Sequence, residues 1–530
     1  MKAFSKWKRS FSLIVIIAAM LTATACGSGS ATPSASPGNG AAPTAAAPTD
    51  NKPEEPVTIK VMANYSTPEQ TESDKKFIAE IEAMNNIKLE FEVPPATGYA
   101  ERLQLMLTSG QYPDVVMFND TADQGFQNAV KDGIIIPVNE YIANAKYLQE
   151  YTYQASWDQL RINQDDKIYG IPRTSVVRND GYFVRKDWLE NIQFDIPENF
   201  EITLEQFEEI LEKFTINDPD KNNKKDTYGY GGAYDNNKVL NVIAPGAFGL
   251  TGWQKTEDGK YMNPMYDTNS DSYKKALEFT AKMYTKGYFD PDSATNDTTK
   301  QRERFVRGLT GVYPGFSGHY GGIVNDLRKN VPDADLVYLF VKNEQGVVEG
   351  GSLEAASTGL WGFWAITSNA KNPQKIVDFL NSWISDEMWE KTSDGYEGID
   401  YQLKDGAKVK MDEPAPPAHF RRSSMRRAND ISFFLSVGTP KDQLDKIVPW
   451  LEKSIETVVP AKDNAFVPEA AKQPRYMDYT KVWQQTTMKI IMGEEPVSKF
   501  DELLEGWYKN GGEQYVNEMN AYISQMEGSN

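Results

Sequence analysis

A short segment in the middle of the chain carries oxygen-bearing side chains at every second position. Oxygen ligands at positions 1, 3, 5, 7 and 9 of a loop, with a backbone carbonyl at position 7, are the calcium-binding pattern of EF-hand-type loops. Asn223 takes the sharp-turn position, where asparagine tolerates the left-handed backbone best after glycine. The segment predicts a structural calcium site, with a polar surface turn as the alternative. The matching residues are Asp218, Asp220, Asn222, Lys224 and Asp226.

Aromatic and polar side chains in loops or at strand ends form the second group of candidates. Aromatic rings stack on the apolar faces of sugar rings, although core packing explains each ring equally well. Trp361 and Trp364 are three positions apart in a predicted strand, so only one of them is expected to meet a ligand. The candidates for ligand contact are Tyr65, Trp157, Arg173, Tyr182, Tyr234, Trp253, Tyr313, Trp361, Trp364 and Tyr396.

Arginine side chains offer chemistry that suits an acidic sugar. Arg173 comes just before an expected crossing between domains. Its guanidinium can hold a uronate carboxylate in bidentate fashion, or it can form a salt bridge between the domains. The pairs Arg421–Arg422 and Arg426–Arg427 are unusual in an acidic chain. A solvated loop paired with nearby acids is the favoured interpretation of these pairs, and a site for an anionic ligand is the alternative.

Catalytic chemistry has few specific signals in this chain. With 75 Asp and Glu residues, some carboxylate pair can always be nominated, so a secreted polysaccharide lyase or glycosidase stays a rival interpretation. The sequence contains no nucleophile elbow, phosphate-binding loop or zinc motif. His319 and His419 are the only histidines and Cys26 is the only cysteine, which argues against a metal site built from these residue types. We therefore expect no catalytic residues and no enzymatic activity.

The N-terminus has the composition of an export signal. Residues 1–10 carry four basic residues and no acid, residues 11–20 are almost entirely apolar, and small residues at 22–25 lead into Cys26. The apolar stretch is too short to span a bilayer comfortably. Small residues followed by Cys26 and Gly27 resemble the lipobox of bacterial lipoproteins, although Ala23 stands where leucine is usual. The resemblance implies a signal peptide at 1–25 and a diacylglycerol on Cys26; an ordinary secretory signal is the alternative.

Composition limits the class of partner. Loss of residues 1–25 would remove four basic residues and no acidic ones, which takes the net charge from −19 to −23. So acidic a surface disfavours nucleic acid as a partner. Residues 27–55 consist mainly of Ala, Pro, Ser, Gly and Thr and predict a flexible linker behind the anchor. The length predicts two or more domains, and we expect a monomer.

Strand and helix signals alternate from Val57 onward. This order predicts an α/β fold with parallel strands and right-handed crossovers, with the loops after the strands, at 64–66 and 119–121, on the ligand-binding edge. Thr203 with Gln206 predicts a capping box, and the chain beyond residue 441 predicts mostly helix. The predicted strands are 57–63, 87–93, 114–118, 311–313 and 360–366, and the predicted helices are 69–84, 99–109, 204–214, 272–286 and 373–384.

The order of these pieces resembles the extracellular solute-binding proteins of family 1, which serve ABC importers of sugars and oligosaccharides. It looks closest to the lipoprotein subgroup that includes alginate-oligosaccharide binders and proteins of the LipO and LplA type. In the alginate-binder branch the calcium loop closes with an acid at position 10, where this chain has Thr227, a weaker ligand. Beyond the lipobox and linker, the stretches that carry the resemblance are residues 169–173 with 182–189, 217–229, and 361–366 with 395–400.

The resemblance implies a periplasmic-binding-protein-like type II fold. Two lobes with mainly parallel sheets would be joined by crossing strands, with extra C-terminal helices. Lobe one would comprise 56–178 and 355–392, and lobe two 179–354 and 393–530, with the calcium loop at 218–227. A carbohydrate would bind between the lobes and pass to membrane permease subunits, and an oligosaccharide that contains uronate is one option for this ligand. A sugar-sensing surface lipoprotein could share this fold and differ only in its partner.

Overall fold

The structure is a computed structural model of the chain. It describes residues 55–528 except 65–69, 95–97, 163–165, 235–240, 351–357, 412–419, 429, 436, 461 and 464–465. Cys26 and Tyr65, two residues singled out from the sequence, lie outside the described residues.

Strands and helices alternate through most of the described chain. The strands are β1 (Val57–Met62), β2 (Ile87–Glu92), β3 (Val115–Phe118), β4 (Ile171–Thr174), β5 (Tyr182–Arg185), β6 (Glu201–Ile202), β7 (Tyr228–Tyr230), β8 (Gln254–Lys255), β9 (Tyr261–Met262), β10 (Thr310–Pro314), β11 (Leu336–Val341), β12 (Leu360–Ile366), β13 (Tyr401–Lys404) and β14 (Ala407–Lys410).

Helices cover the strands and form most of the C-terminal region. They are α1 (Glu72–Asn85), α2 (Tyr99–Ser109), α3 (Gln124–Lys131), α4 (Asn139–Ile142), α5 (Lys146–Glu150), α6 (Gln154–Asp158), α7 (Lys186–Asn191), α8 (Leu204–Ile216), α9 (Ser272–Thr285), α10 (Thr298–Val306), α11 (Tyr320–Arg328), α12 (Pro373–Trp383), α13 (Asp386–Ser393), α14 (Phe420–Ser424), α15 (Lys441–Glu456), α16 (Pro474–Ile491), α17 (Lys499–Trp507) and α18 (Glu513–Gly528). The strands and helices predicted above are present, with bounds shifted by at most three residues.

Two five-stranded sheets organise the two lobes. The first has the order β2-β1-β3-β12-β4 and the second the order β6-β11-β5-β10-β7. In the first sheet, β1 pairs in parallel with β2 and β3, and β12 runs antiparallel to both β3 and β4. In the second sheet, β5 runs antiparallel to β10 and β11. The two-lobe α/β architecture is confirmed, but the sheets are mixed because the strands next to the crossings between lobes run against their neighbours.

Each sheet has its own hydrophobic core. The first core contains β1, β3 and β12 together with α1 and α12. The second contains β5, β10 and β11 with α8, α11 and α15. The chain passes between the cores from β4 to β5, from β11 to β12, and from α14 to α15. Tyr396, Phe420 and Met425 pack in the first core, so we propose that lobe one extends to about residue 425, beyond the limit of 392 drawn from the sequence.

A local sequence signal accounts for the start of α8. The Thr203 hydroxyl accepts from the Gln206 amide at 3.2 Å, and the Gln206 side chain accepts from the Thr203 amide at 2.9 Å, so the predicted capping box is confirmed.

Helices α16 and α17 pack with α9 around Trp483 and Trp507 as a further hydrophobic cluster. Within the described residues, every helix is too short or too polar to cross a membrane.

Candidate functional site

One edge of the first sheet gathers polar residues next to the chain crossings. Because β12 runs antiparallel to β3 and β4, its amino end lies beside their carboxyl ends. Arg173 near the end of β4, Trp361 near the start of β12 and the loop at 119–121 therefore share this edge. Carboxyl ends of strands are where open α/β sheets bind ligands.

A β-bulge separates the roles of the two tryptophans of β12. The strand register shifts between Leu360 and Phe363, and Gly362 between them has φ +100°, where a Cβ atom would lie 2.8 Å from the Phe118 carbonyl oxygen. Bulges of this kind redirect side chains. Trp361 is 52% exposed, whereas Trp364 is 2% exposed and donates its indole N–H to the Ser424 carbonyl at 2.9 Å. Trp361 is therefore the tryptophan of β12 that can meet a ligand.

Two guanidinium groups lie against the Trp361 ring. The Cζ atoms of Arg173 and Arg426 are 4.4 and 3.7 Å from the ring centroid. Arg173 also donates from Nη1 to the Trp361 carbonyl at 2.6 Å, while the Arg426 carbonyl accepts from the Thr174 hydroxyl at 3.1 Å. Both arginines are buried. We call Arg173, Trp361 and Arg426 the arginine–tryptophan cluster.

A buried ionic network holds the segment that carries Arg426. Arg421 donates from Nη1 to the Ser73 hydroxyl at 2.6 Å and to Asp74 at 3.3 Å, and from Nη2 to Asp400 at 3.2 Å. The Arg421 carbonyl accepts from the Trp383 indole at 2.9 Å. These contacts fix α14 to lobe one, so the residues that follow it are held against the sheet edge.

Positive charge is concentrated around the cluster. Burial lowers the pKa of the Arg426 guanidinium well below its ordinary value, and repulsion from Arg173, Arg422 and Arg178 adds to this effect. Burial likewise lowers the pKa of Arg422 to about 10. Several guanidinium groups therefore contribute positive potential to one region.

The facing edge of the second sheet contains a recess of about 190 Å³. Tyr182 lines it, and its hydroxyl accepts from the Ala244 amide at 2.8 Å. Burial raises the pKa of Tyr182 to about 12, so the phenol stays neutral. Arg178 also lines the recess, with its Cζ 3.9 Å from the Phe316 ring centroid and its Nε 2.9 Å from Asp180.

The structure places the other aromatic candidates in several environments. Trp157 and Tyr396 are buried in the first core, and Trp253 is buried in a small cluster against Tyr515. Tyr313 is half-buried and stacks on Phe305, and Tyr234 is half-buried just beyond β7. Trp157, Trp253, Trp364 and Tyr396 thus have the buried surroundings of core residues, and Arg173 with Trp361 is the predicted pair in direct contact.

Arg178 was not among the predicted site residues, and Arg426 belonged to a basic cluster for which an anionic-ligand site was only the alternative interpretation. Arg178 lies in the crossing from β4 to β5, and Arg426 reaches Trp361 from a distant part of the chain. The cluster at 421–427 was expected to be a solvated loop, but Arg421, Arg422 and Arg426 are buried. The pairing with acids expected for it is present at Arg421 and Arg427. The sequence signal for the arginines at 421–427 was their high basic content within an acidic chain.

The predicted calcium loop is an exposed turn with converging carboxylates. The Asn222 amide group donates to Asp220 at 2.7 Å and to Asp226 at 3.1 Å. The backbone amides of Asn222 and Asn223 donate to Asp218 at 3.2 and 3.0 Å. Asn223 has φ 62°, which confirms its predicted left-handed backbone.

The acids of this loop repel one another. Burial raises the pKa of Asp220, and the neighbouring Asp218 and Asp226 raise it further. Thr227 is buried, and its hydroxyl donates to the Phe214 carbonyl at 2.9 Å, which ties the loop to α8. Among the described residues, no three acidic, histidine or cysteine side chains already surround a single metal-sized point. The Asn222 amide group lies between the Asp220 and Asp226 carboxylates and donates to both.

Comparisons with known proteins agree with the two-lobe fold. The polygalacturonan/rhamnogalacturonan-binding protein YtcQ of Bacillus subtilis (strain 168) is 24% identical over 465 residues, which cover 85% of this chain and 88% of YtcQ. Lipoprotein LipO of the same organism is 24% identical over 489 residues, 87% of this chain and 91% of LipO. The structure of the alginate-binding protein AlgQ2 without calcium ion superimposes with a TM-score of 0.61 at 20% identity, covering 89% of this chain and 98% of AlgQ2.

The family follows from a match over most of the folded chain. The family model for bacterial extracellular solute-binding proteins matches residues 76–416, which is more than half of the sequence. This range includes every strand of the two five-stranded sheets except β1, and it includes both tryptophans of β12. The protein belongs to the bacterial extracellular solute-binding protein family.

Proposed function

We propose that this protein is the substrate-binding component of an ABC importer and that it captures an acidic oligosaccharide between its two lobes. The observation that carries the proposal is the contact of Arg173 and Arg426 with the half-exposed Trp361. The indole offers a surface for a sugar ring, and a guanidinium is the side chain best suited to bind a carboxylate. A uronate unit carries both a ring face that can stack on the indole and a carboxylate that a guanidinium group can bind.

Charge supports an acidic ligand over a neutral one. The net charge of the chain is −19, yet four guanidinium groups lie near one another. Burial lowers the pKa of Arg426, and repulsion from Arg173, Arg422 and Arg178 lowers it further. A carboxylate close to these groups would interact favourably with their positive charge. The names of two relatives point the same way, since YtcQ is described as a polygalacturonan/rhamnogalacturonan-binding protein and AlgQ2 as an alginate-binding protein.

The rival functions differ in what happens after binding. A glycosidase or lyase would convert the bound sugar, and glycoside hydrolysis generally needs two carboxyl groups that flank one bond. The arginine–tryptophan cluster instead offers guanidinium and indole groups, and the nearby Asp180 is paired with Arg178. A sensing lipoprotein would bind in the same way but would not support uptake of the sugar.

A panel of oligosaccharides tests the proposal. We expect galacturonate or alginate oligomers to raise the melting temperature, because a ligand specific for the folded state stabilises it. Neutral fructo-oligosaccharides at equal concentration serve as the control and should give a smaller shift. Chromatography of the incubated sugars should show no new products. Rapid conversion of the sugar would establish an enzyme, and a response restricted to neutral sugars would contradict the acidic ligand.

Membrane attachment forms part of the proposal. We propose that Cys26 carries the lipid anchor, which the N-terminal pattern and the similarity to lipoprotein LipO support. The N-terminal pattern and the membership in an extracellular solute-binding family support a location outside the cytoplasm. Metabolic lipid labelling of the wild type and of Cys26→Ser checks the assignment, and equal labelling of both would refute it.

We also propose that the loop at 218–227 binds calcium. Asp218, Asp220, Asn222 and Asp226, with the Lys224 carbonyl, offer the hard oxygen donors that Ca²⁺ prefers. The Asn222 amide group donates to both Asp220 and Asp226, so these two carboxylates lie on either side of one side chain, which supports the proposal. Calcium there would neutralise the repulsion between the acids and hold the turn after α8. The similar AlgQ2 structure is characterised as one without calcium ion, and this distinction supports the proposal.

Removal of calcium should lower the melting temperature of the wild type. Asp220→Asn should abolish this response to chelator, because the loop loses a charged ligand. Without calcium the variant should be at least as stable as the wild type, since Asp220 is repelled by Asp218 and Asp226. Asp478→Asn, at an exposed ion pair on α16, is the matched control. Calorimetry with and without chelator measures both effects. If chelator leaves the melting temperature of the wild type unchanged, the loop is a polar turn and not a calcium site.

A further inference from the structure

The backbone around Arg426 is irregular. Helix α14 ends at Ser424, and residues 425–427 belong to no helix or strand. A segment that lacks the regular hydrogen bonds of a helix or sheet depends on other contacts for its position. The contacts on either side of Arg426 therefore determine where its guanidinium lies relative to Trp361.

Buried tryptophans of lobe one hold this segment on both sides of Arg426. Each of them donates its indole N–H to an acceptor of the segment, as expected of a buried group that is a donor only. Two of these contacts come before Arg426 in the chain and one comes after it. The contacts are Trp383 to the Arg421 carbonyl at 2.9 Å, Trp364 to the Ser424 carbonyl at 2.9 Å and Trp389 to the Asp430 carboxylate at 2.5 Å.

The guanidinium of the next residue, Arg427, lies among aromatic rings and acceptors of lobe one. Its Cζ is 3.8 Å from the Tyr151 ring centroid and 5.0 Å from a Trp389 ring centroid. Its Nε donates to the Ile384 carbonyl at 2.9 Å, and its Nη2 donates to Asp386 at 2.8 Å. A planar guanidinium can stack on a ring and donate hydrogen bonds in its own plane, so these contacts together fix the Arg427 side chain.

Tyr151 contributes two further contacts to the same group. Its hydroxyl donates to Asp386 at 2.8 Å, and its carbonyl accepts from the Ala428 amide at 2.8 Å. The hydrogen bonds from Tyr151 and Arg427 lower the pKa of Asp386, so its carboxylate stays charged at neutral pH. We call this group the Arg427 clamp. Its members are Tyr151, Asp386, Trp389, Arg427 and Asp430.

The clamp lies directly next to the residue that contacts the proposed binding surface. The Arg426 Cζ is 3.7 Å from the Trp361 ring centroid, and the Arg426 carbonyl accepts from the Thr174 hydroxyl at 3.1 Å. The Nε of Arg426 donates to the Arg422 carbonyl over a long distance of 3.4 Å. A shift of the backbone at Arg427 would therefore displace the Arg426 guanidinium on the indole ring.

We infer that Arg427 is a positioning residue, which through the clamp fixes Arg426 against Trp361 and so sets the orientation of the indole that meets the ligand. Arg427 acts through its neighbour and not by contact with the sugar. The inference rests on the proposed function, in which this indole and its arginines bind a uronate unit. It adds a residue on the far side of the segment that controls the binding surface.

Fluorine NMR of the protein labelled with 5-fluorotryptophan tests the inference without a ligand. Single replacements of Trp361 and Trp389 by phenylalanine assign their resonances. Arg427→Gln should shift the Trp389 resonance, because that ring loses the guanidinium beside it. It should also shift the Trp361 resonance, because Arg426 moves on that ring. Arg102→Gln, at an exposed ion pair, is the control and should shift neither resonance.

Titration calorimetry with galacturonate and alginate oligomers measures the effect on binding. Arg427→Gln should weaken binding of the oligomer that the wild type prefers by about tenfold. Arg427→Lys keeps the charge beside Asp386 but loses the planar stack, so it should recover part of the affinity. Tyr151→Phe keeps the ring under the guanidinium and loses only the hydroxyl. It should cause the same changes to a smaller extent, and it serves as the second variant if Arg427→Gln does not fold.

The outcomes separate this inference from the proposed function. A shift confined to the Trp389 resonance would mean that the clamp has only a local structural role, and it would overturn the inference. Unchanged uronate affinity in the clamp variants would overturn it too, since the orientation of Trp361 would then not matter to the ligand. Absence of binding of every uronate oligomer to the wild type would contradict the proposed function, while the fluorine shifts would still decide whether Arg427 positions Trp361.

Discussion

Arg173→Ala should weaken binding of a uronate oligosaccharide by about one to two orders of magnitude. A hydrogen bond to a charged group contributes about 1.5–3 kcal/mol, and about 1.4 kcal/mol corresponds to a tenfold change in affinity. Arg173 is buried beside the half-exposed Trp361, so its charge is poorly screened by water. Binding of a neutral oligosaccharide of the same length should change much less. Titration calorimetry at low and high salt measures both affinities.

The controls for this prediction separate charge from packing. Arg173→Lys keeps the charge but loses the planar fork, so it should restore part of the affinity for the acidic sugar. Arg102→Ala removes an arginine from an exposed ion pair with Glu92 and should leave binding unchanged. High salt should weaken binding to the wild type more than to Arg173→Ala. Equal losses for acidic and neutral sugars would show that Arg173 acts only by supporting Trp361.

Arg421→Met should lower the free energy of unfolding by about 3–5 kcal/mol, because it leaves buried carboxylates without their counter-charge. Arg421 contacts Asp74 at 3.3 Å and Asp400 at 3.2 Å, and both Arg421 and Asp74 are almost completely buried. Ser73 donates to Asp400 within the same network. Methionine replaces the volume of the side chain approximately but supplies no donor. Urea denaturation gives the free energy of unfolding and its slope.

The matched control is an arginine that makes its ion pair in solvent. Arg102→Met removes the exposed pair with Glu92 and should cost no more than about 1 kcal/mol. Because Arg421 lies on the segment that leads to Arg426, Arg421→Met should also weaken uronate binding in the molecules that remain folded. Similar stability losses for the two variants would contradict the assignment of a buried network that holds α14.

Much of the local structure was predictable because its causes lie within a few residues. The apolar alternation at 57–63 predicted β1, and the Thr203–Gln206 pair predicted the start of α8. The left-handed Asn223 was predicted from the spacing of the loop alone. The resemblance to a known family supplied the two lobes. The mixed direction of the strands was missed, since pairing partners such as β3 and β12 are far apart in the chain.

The candidate site was predictable in part for the same reason. Arg173 and Trp361 were singled out by residue type and position at element ends, and the structure brings them into contact. Arg426 was grouped with a solvated loop because nothing near it in sequence reports its burial. Phe466 and Asn128 were not candidates, since they line one cavity only because segments far apart in the chain face each other in the fold.

The sequence by itself determined the periodic elements and the oxygen-rich turn at 218–226, and it identified Arg173 and Trp361 as candidates for ligand contact. These follow from short-range spacing and from side-chain type. Only the tertiary structure decided which tryptophan of β12 meets solvent, because the outcome depends on the bulge at Gly362 and on the contact of Trp364 with Ser424. It also decided that Arg426 lies on Trp361, since packing between distant segments determines burial and the proximity of charges.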